Sequence, residues 1–300
     1  VTMTIDTKKA TTIDEQIALL KSRGMVIDDV KKAKENLFDI GYFRLGFYWF
    51  PFEATYPRKN NRTHQFSSGA NFDWAIKLYY FDFDLRNILL RYISRIEVNF
   101  RTSVVYLTSN EYKDNPCWYV DPTIIKKEIL ESEEYNHALK EMCKEPLICY
   151  DKKTHGNRQY PPAWKALEFM TFGTIIKLYE GIKNPHLRCD ISNHYGMSHP
   201  TQFANYINTV RKLRNNCAHE KVLFDMTLPQ AIGDGPCGNL GNRRTMLFGA
   251  YKVFKYLLGR ISENRVKEMQ AELVDAFDRV SYSTVKNVIF NNSGFRMNEI

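Results

Sequence analysis

Apolar residues recur with the helical period of about 3.6 residues along most of the chain, and no stretch sustains the alternation expected of strands. The clearest case runs from Phe72 to Leu107, where one apolar stripe continues over many turns. Shorter helices are predicted at residues 12–23, 28–38, 122–145, 163–180, 201–222, 246–262 and 264–280. The sequence therefore predicts an all-α protein, a helical bundle with helical additions at both ends.

Four segments between these helices carry other signals. Residues 40–54 form a dense aromatic block closed by Pro51, and residues 55–70 are polar and basic. Residues 146–162 are polar and bounded by prolines, so they are predicted to form a loop. Residues 229–244 are rich in Gly, Pro and Asn and are predicted to form a connecting segment between helices. The predicted units are an N-terminal helical and aromatic segment (1–70), a helical core (71–228) and a C-terminal helical extension (229–300).

The long predicted helix carries four arginines, at the margin of its apolar stripe or beyond it: Arg86, Arg91, Arg95 and Arg101. Arginines at such positions usually lie on a solvated face and form local ion pairs, for example from Glu97 to Arg101 at i,i+4. We expect that arrangement here, and contact with an RNA backbone is the alternative.

The chain of 300 residues has a formal net charge of +8 and a pI of about 9.0. Such an excess favours an anionic partner, most often nucleic acid, although a basic protein without such a partner is the alternative. Aromatic residues make up 14% of the chain. Most should pack in the core, and a few exposed ones could stack on bases.

The six cysteines form no CxxC pair, so we expect reduced thiols in a cytoplasmic protein. Cys189, His194 and His199 are evenly spaced by five residues, which places successive side chains far around a helix. Gly196 and Pro200 also interrupt that helix, so we expect no metal site there and no other cofactor.

The N-terminal residues lack the apolar core and the cleavage signature of a signal peptide. No apolar run approaches the ~18 residues that a membrane span requires. We therefore expect a cytoplasmic protein with no membrane partner.

The segment VRKLRNNCAHEKVLF at 210–224 contains Arg214, Asn215 and His219 in the pattern R-N-x-x-x-H. RNA cleavage needs a group that exchanges a proton near neutral pH, such as histidine, and a cation on the phosphate, such as arginine. The RNA 2′-hydroxyl can serve as the nucleophile, and the segment lacks the convergent carboxylates of a two-metal nuclease. A structural polar cluster is the alternative interpretation of these three residues.

The positions of these three residues around the predicted helix bear on whether they can form one site. Its apolar arc consists of Phe203, Tyr206, Ile207, Val210, Leu213 and Cys217. Arg214 lies inside that arc, Asn215 lies off it and His219 lies on the opposite side. On an ideal helix Arg214 and His219 are about 140° apart with a rise of roughly 7.5 Å. Either the helix distorts near Cys217, or the arginine turns back, or two chains each supply part of the site.

An arginine inside an apolar arc needs a partner. Glu168 falls inside the apolar stripe of the helix predicted at 163–180, so we expect it to form a buried ion pair with Arg214. Glu97, at the edge of the long helix stripe, is the second candidate partner.

Four longer blocks occur in a family-like order: IGYFRLGFYWFPF (40–52), LYYFDFDLRNILLRYISRIEVNFRT (78–102), PPAWKALEFMTFGTIIKLY (161–179) and LRNNCAHEKVLF (213–224). On these blocks the chain resembles the Abi-like family of abortive-infection proteins (the AbiD and AbiF type) within the HEPN superfamily. The resemblance covers roughly residues 13–225 and leaves residues 226–300 without an assigned role.

The resemblance implies a HEPN-like helical core and a homodimer that brings two R-N-x-x-x-H motifs together. It also implies metal-independent cleavage of RNA in phage defence or in a toxin–antitoxin system, with an RNA or protein antitoxin as a possible partner. The catalytic pair would be Arg214 and His219, with Asn215 as the polar third member. A non-catalytic HEPN module that binds RNA or a partner protein is the alternative function, and a purely structural helical protein is a third.

Overall fold

A computed structural model describes residues 9–156 and 159–300, which form fourteen α-helices, five short 3₁₀ helices and no β-strand beyond isolated bridges. The N-terminal helices are α1 (Ile13–Ser22), α2 (Val30–Ile40), α3 (Tyr42–Trp49), α4 (Phe72–Glu111), α5 (Lys127–Leu130), α6 (Glu133–Lys144) and α7 (Pro146–Thr154). The remaining helices are α8 (Ala163–Ala166), α9 (Phe172–Gly181), α10 (Pro185–His194), α11 (Pro200–Ala218), α12 (Leu247–Ile261), α13 (Glu263–Asp278) and α14 (Ser283–Ser293). The prediction of an all-α fold is confirmed.

Helix α4 is the central element and the longest, with 40 residues. Asn71 caps its first turn by accepting a hydrogen bond from the Asp73 N–H, at 2.8 Å. Its apolar stripe is buried because helices pack around it along its length, namely α3, α9, α10, α11, α12 and α13. The prediction of a helix from Phe72 is confirmed, and the helix runs four residues beyond Leu107.

An aromatic cluster fixes α11 against its neighbours. The ring of Phe203 on α11 lies 5.8 Å from that of Phe100 on α4 and 5.4 Å from that of Tyr179 on α9. It also stacks on Tyr195, with centroids 4.9 Å apart. Because all four side chains are fully buried, the orientation of α11 is set by the core.

The prediction of a single helix at 163–180 is wrong, because the helix is interrupted after the 3₁₀ turn Leu167–Phe169. Met170 is extended, and the Thr171 hydroxyl accepts a hydrogen bond from the Thr174 N–H at 3.2 Å to start α9. Glu168 lies in the 3₁₀ turn with its side chain 66% exposed. Its predicted inward orientation is therefore also wrong.

Two other boundaries differ from the prediction. The helix predicted at 122–145 is divided into α5 and α6, because Ser132 is extended and caps α6 through the Tyr135 N–H. The loop predicted at 146–162 begins with helix α7, whose first residue, Pro146, has a backbone suited to that position. The end of that predicted loop includes residues 157–158, which lie outside the described residues.

The C-terminal helices complete the core. Helices α12 and α13 pack directly on α4, and Phe277 of α13 contacts Phe81 of α4 edge to face at 4.8 Å. Helix α14, which the periodicity did not predict, also packs on α4. None of the described helices combines the length and the apolar character needed to cross a membrane.

Candidate functional site

The polar motif lies at the C-terminal end of α11, which stays helical through Ala218. His219 is the C-cap residue, and its backbone N–H donates to the Asn215 carbonyl at 3.0 Å. Glu220 then takes a left-handed conformation with φ 52° and turns the chain out of the helix. The helix thus does not distort near Cys217, and it ends at Ala218, four residues before the predicted end at Val222.

Arg214 reaches α4 rather than the 163–180 segment. Its Nε lies 3.5 Å from the Glu97 Oε2, and 36% of its side chain remains exposed. The predicted buried pair with Glu168 is therefore wrong, because the break at Met170 leaves Glu168 on the surface. The second candidate, Glu97, is the partner.

Glu97 also binds a second arginine. Arg101 Nη2 lies 3.6 Å from Glu97 Oε1, which confirms the predicted i,i+4 pair. The same guanidinium donates to the Met170 carbonyl at 3.2 Å, and its Nη1 lies 3.5 Å from the Glu168 Oε1. Two arginines and two carboxylates thus form one cluster, and the Arg214 side chain, which is 36% exposed, is accessible to a phosphate.

Asn215 and His219 are both exposed at this end of α11. Within the described residues, no hydrogen bond or ion pair holds either side chain. The structure therefore leaves the imidazole and the amide open to a ligand in solution, while Arg214 is directed towards α4.

A buried charge network fixes the chain that follows the motif. The Asp82 carboxylate accepts hydrogen bonds from the backbone N–H groups of Leu223, at 3.0 and 3.1 Å, and Phe224, at 2.7 Å. It also accepts from Arg86 Nη1 at 2.6 Å and from the Tyr48 hydroxyl at 3.0 Å. Asp82 is fully buried and Arg86 is 4% exposed, so the expectation of a solvated Arg86 is wrong.

This network joins three of the four sequence blocks, since Tyr48, Asp82 and Leu223 come from different blocks. Burial raises the pKa of Asp82, and the Arg86 guanidinium and the two backbone N–H groups oppose that shift. The neighbouring thiol of Cys217 is buried, which raises its pKa to about 12. Cys217 is therefore a protonated core residue and not a nucleophile.

Arg44 of α3 holds the residue after the motif histidine. Its Nη1 donates to the Glu220 carbonyl at 3.1 Å, and its Nη2 lies 3.1 Å from the Glu220 carboxylate. Helix α3 and the end of α11 are therefore adjacent on the surface.

A cleft of about 470 Å³ lies beside that contact. Its lining is largely aromatic and also contains basic side chains, with residues that include Phe43, Phe47, Phe50, Arg23, Lys59, Arg62, Val222 and Asp225. The sequence pattern does not predict this cleft. The available signal was the aromatic block beside a basic loop, but the part of the chain that closes the cleft lies about 170 residues further on.

No group of three or more His, Cys, Asp or Glu side chains is close enough to hold a metal ion within residues 9–156 and 159–300. The chemistry that this site offers therefore comes from an exposed imidazole and amide, the partly exposed Arg214 guanidinium and a nearby aromatic cleft.

The fold and the site define an all-helical protein with a polar motif at one helix end. The family model described as Abi-like protein matches residues 35–225. This range covers most of the chain and includes the whole Asp82 network and the motif, so the chain belongs to the Abi-like family. That family suggests a role in abortive infection, a form of phage defence. Searches of curated proteins and of solved structures found no significant match.

Proposed function

We propose that this protein is a HEPN-type, metal-independent endoribonuclease that acts in abortive infection or as the toxin of a toxin–antitoxin system. The observation that carries the proposal is the exposed His219 at the end of α11, five residues after an arginine held by Glu97. A free imidazole and an arginine suit the cleavage of a phosphodiester with a neighbouring hydroxyl. The net charge of +8 suits an RNA substrate.

The reaction proceeds by attack of the RNA 2′-hydroxyl on the adjacent phosphorus. The bond from the 2′-oxygen to phosphorus forms, and the bond from phosphorus to the 5′-oxygen breaks. His219 takes the proton of the 2′-hydroxyl or gives one to the leaving 5′-oxygen. Arg214 stabilises the charge that grows on the phosphate, and Asn215 orients the imidazole or a phosphate oxygen.

The active site is proposed to form between two copies of the chain. Since α11 is regular through Ala218, Arg214 and His219 keep the angular separation of about 140° expected on an ideal helix. The Arg214 side chain does not turn back, because it is directed to Glu97 on α4. A two-fold dimer would bring Arg214 of one chain to His219 of the other.

The test is incubation of the purified protein with total RNA in EDTA, followed by mapping of the cut ends. The proposal expects cleavage that EDTA does not change, 2′,3′-cyclic phosphate and 5′-hydroxyl ends, and no cleavage of DNA. Loss of cleavage in EDTA, or 3′-hydroxyl ends, would contradict it.

A non-catalytic module that binds RNA or a partner protein is the second candidate function. The separation of Arg214 and His219 within one chain favours it, since a monomer would not assemble the pair. It predicts binding of RNA, or of a partner, without any new ends.

A further inference from the structure

The cleft between α3 and the segment after α11 has features of a site for a nucleobase. Its volume of about 470 Å³ is within the range of ligand pockets, and its aromatic side chains offer faces on which a base can stack. Phe43 is 82% exposed and Phe47 is 49% exposed, although both are large apolar residues. Packing within the chain does not account for that exposure, so a ligand is a physical reason for it.

Basic side chains line the cleft together with its aromatic residues. Arg62 is held by the buried Glu53, with Nε 2.9 Å from Oε2, and its guanidinium stands 4.2 Å from the Phe50 ring centre. Lys59 is exposed, and no ion pair within the described residues holds it. Because Lys59 is a flexible cation beside aromatic rings, it can bind the phosphate of a nucleotide whose base stacks inside the cleft.

Among the described residues that line the cleft, only Asp225 carries a carboxylate. No hydrogen bond or ion pair of the described residues occupies it, although it is accessible through the cleft. Asp225 is exposed within the cleft. Partial burial raises the pKa of its carboxyl group, and Lys59 opposes that shift. A ligand in the cleft that carries hydrogen-bond donors can therefore reach this carboxylate and pair with it.

Guanine is the base whose Watson–Crick edge fits a single carboxylate. Its ring N–H and its amino group are adjacent donors that can meet the two oxygens together. Adenine and cytosine present an amino group beside a ring nitrogen acceptor, and that acceptor repels a carboxylate. Uracil presents one N–H between two carbonyl groups, which is also unfavourable.

We propose that this cleft binds a guanine base of single-stranded RNA, with the base stacked on Phe43 or Phe47 and its two donors on Asp225. The inference rests on the proposed function, since it takes RNA as the partner. Val222 in the cleft wall follows His219 by three residues, within about 11 Å along an extended chain. A guanine held here places a neighbouring phosphodiester near His219, so cleavage occurs next to guanosine.

A second copy of the chain is a poorer occupant than a base. A two-fold contact at the cleft would bring its basic lining residues, Arg23, Lys59 and Arg62, towards the same residues of the second copy.

The test measures binding without cleavage, in the His219→Ala background. Fluorescence anisotropy compares uridine heptamers that carry one central guanosine, inosine or adenosine. The guanosine heptamer should bind on the order of tenfold more tightly than the adenosine heptamer. Inosine, which lacks the amino group, should be intermediate.

Three further variants identify the residues that produce the preference for guanosine and the binding of the base. Asp225→Asn should remove the preference for guanosine, whereas Asp234→Asn, which makes the same charge change at an exposed carboxylate outside the cleft, should keep it. Phe43→Ala should weaken binding of every heptamer by on the order of tenfold through lost stacking. Since Phe43 is exposed, that variant keeps its fold even where Asp225→Asn does not.

Equal affinity for the three heptamers, or a guanosine preference that survives Asp225→Asn, would overturn the inference. A switch from dimer to monomer in Phe43→Ala, seen by light scattering, would also overturn it, because a second copy would then occupy the cleft. Cleavage of total RNA by the wild type without any guanosine preference would refute the cleft proposal alone. A guanosine preference without cleavage would support the cleft and refute the nuclease.

Discussion

The Arg214 Nε lies 3.5 Å from the Glu97 Oε2, and this contact joins the polar motif on α11 to the central helix α4. Because Glu97 fixes the arginine, Glu97→Gln should lower the rate of RNA cleavage by on the order of ten- to a hundredfold through loss of orientation. Glu97 also pairs with Arg101, whose side chain is only 12% exposed, so the free energy of unfolding should fall by on the order of 1–3 kcal/mol.

Glu168→Gln is the matched control for that variant. Glu168 contacts Arg101 and is exposed, so its neutral form leaves Arg214 in place. Cleavage assays and urea unfolding of both variants provide the measurement. Equal cleavage by Glu97→Gln and Glu168→Gln would show that the contact with Glu97 does not orient Arg214.

Arg214→Ala should abolish cleavage with little loss of stability. Removing one partner of a fully buried ion pair lowers the free energy of unfolding by several kcal/mol. The Arg214 side chain, however, is 36% exposed. We therefore expect a decrease of about 1 kcal/mol or less in the free energy of unfolding. Urea unfolding measures this free energy. A loss of about 3 kcal/mol or more would mean that Arg214 serves mainly to stabilise the core.

Asp82→Asn should destabilise the protein strongly. The substitution removes the charge that Arg86, Leu223 and Phe224 share, and it leaves the buried Arg86 without a counterion. The expected loss is on the order of 3–5 kcal/mol in urea unfolding.

Asp84→Asn is the control on the same helix. Asp84 contacts the exposed Arg279 at 3.0 Å, and its removal should cost less than about 1 kcal/mol. If the two variants unfold at the same urea concentration, the buried network does not hold the segment after the motif.

Mixing two inactive variants tests whether the active site forms between chains. Arg214→Ala and His219→Ala, co-expressed in equal amounts, form heterodimers in which one of the two composite sites is intact. Cleavage should recover to about a quarter of the wild-type rate, since half of the dimers are mixed and each has one site. No recovery, with dimers present by light scattering, would place both residues of each site in one chain.

The fold class and the long helix were predictable because they depend on periodicity. The apolar stripe of α4 spans many turns, so tertiary context cannot change its assignment, and it begins at the predicted Phe72. The helices α3, α7, α10 and α14 were not predicted because they are short and their stabilisation comes from packing, not from a strong pattern of their own.

The partners of charged residues were less predictable. Arg86 was expected on a solvated face, but Asp82 lies one turn earlier on the same stripe, and this i,i+4 pair was a signal for a buried network. The pairing of Arg214 with Glu168 failed because a helical wheel assumes an unbroken helix, and Met170 and Thr171 break it. Such breaks depend on local capping and on distant packing that one helix period does not encode.

The role of His219 is tested most directly by the cleavage rate of His219→Ala on total RNA in EDTA, beside His199→Ala. His199 is an exposed histidine at the other end of α11, so it controls for the loss of an imidazole. We predict that the cleavage rate of His219→Ala is lower by on the order of 10²–10⁴-fold, while its thermal melt stays close to that of the wild type. His199→Ala should cleave RNA at the wild-type rate. Cleavage by His219→Ala at the wild-type rate would contradict the catalytic role of this histidine and favour the RNA-binding function.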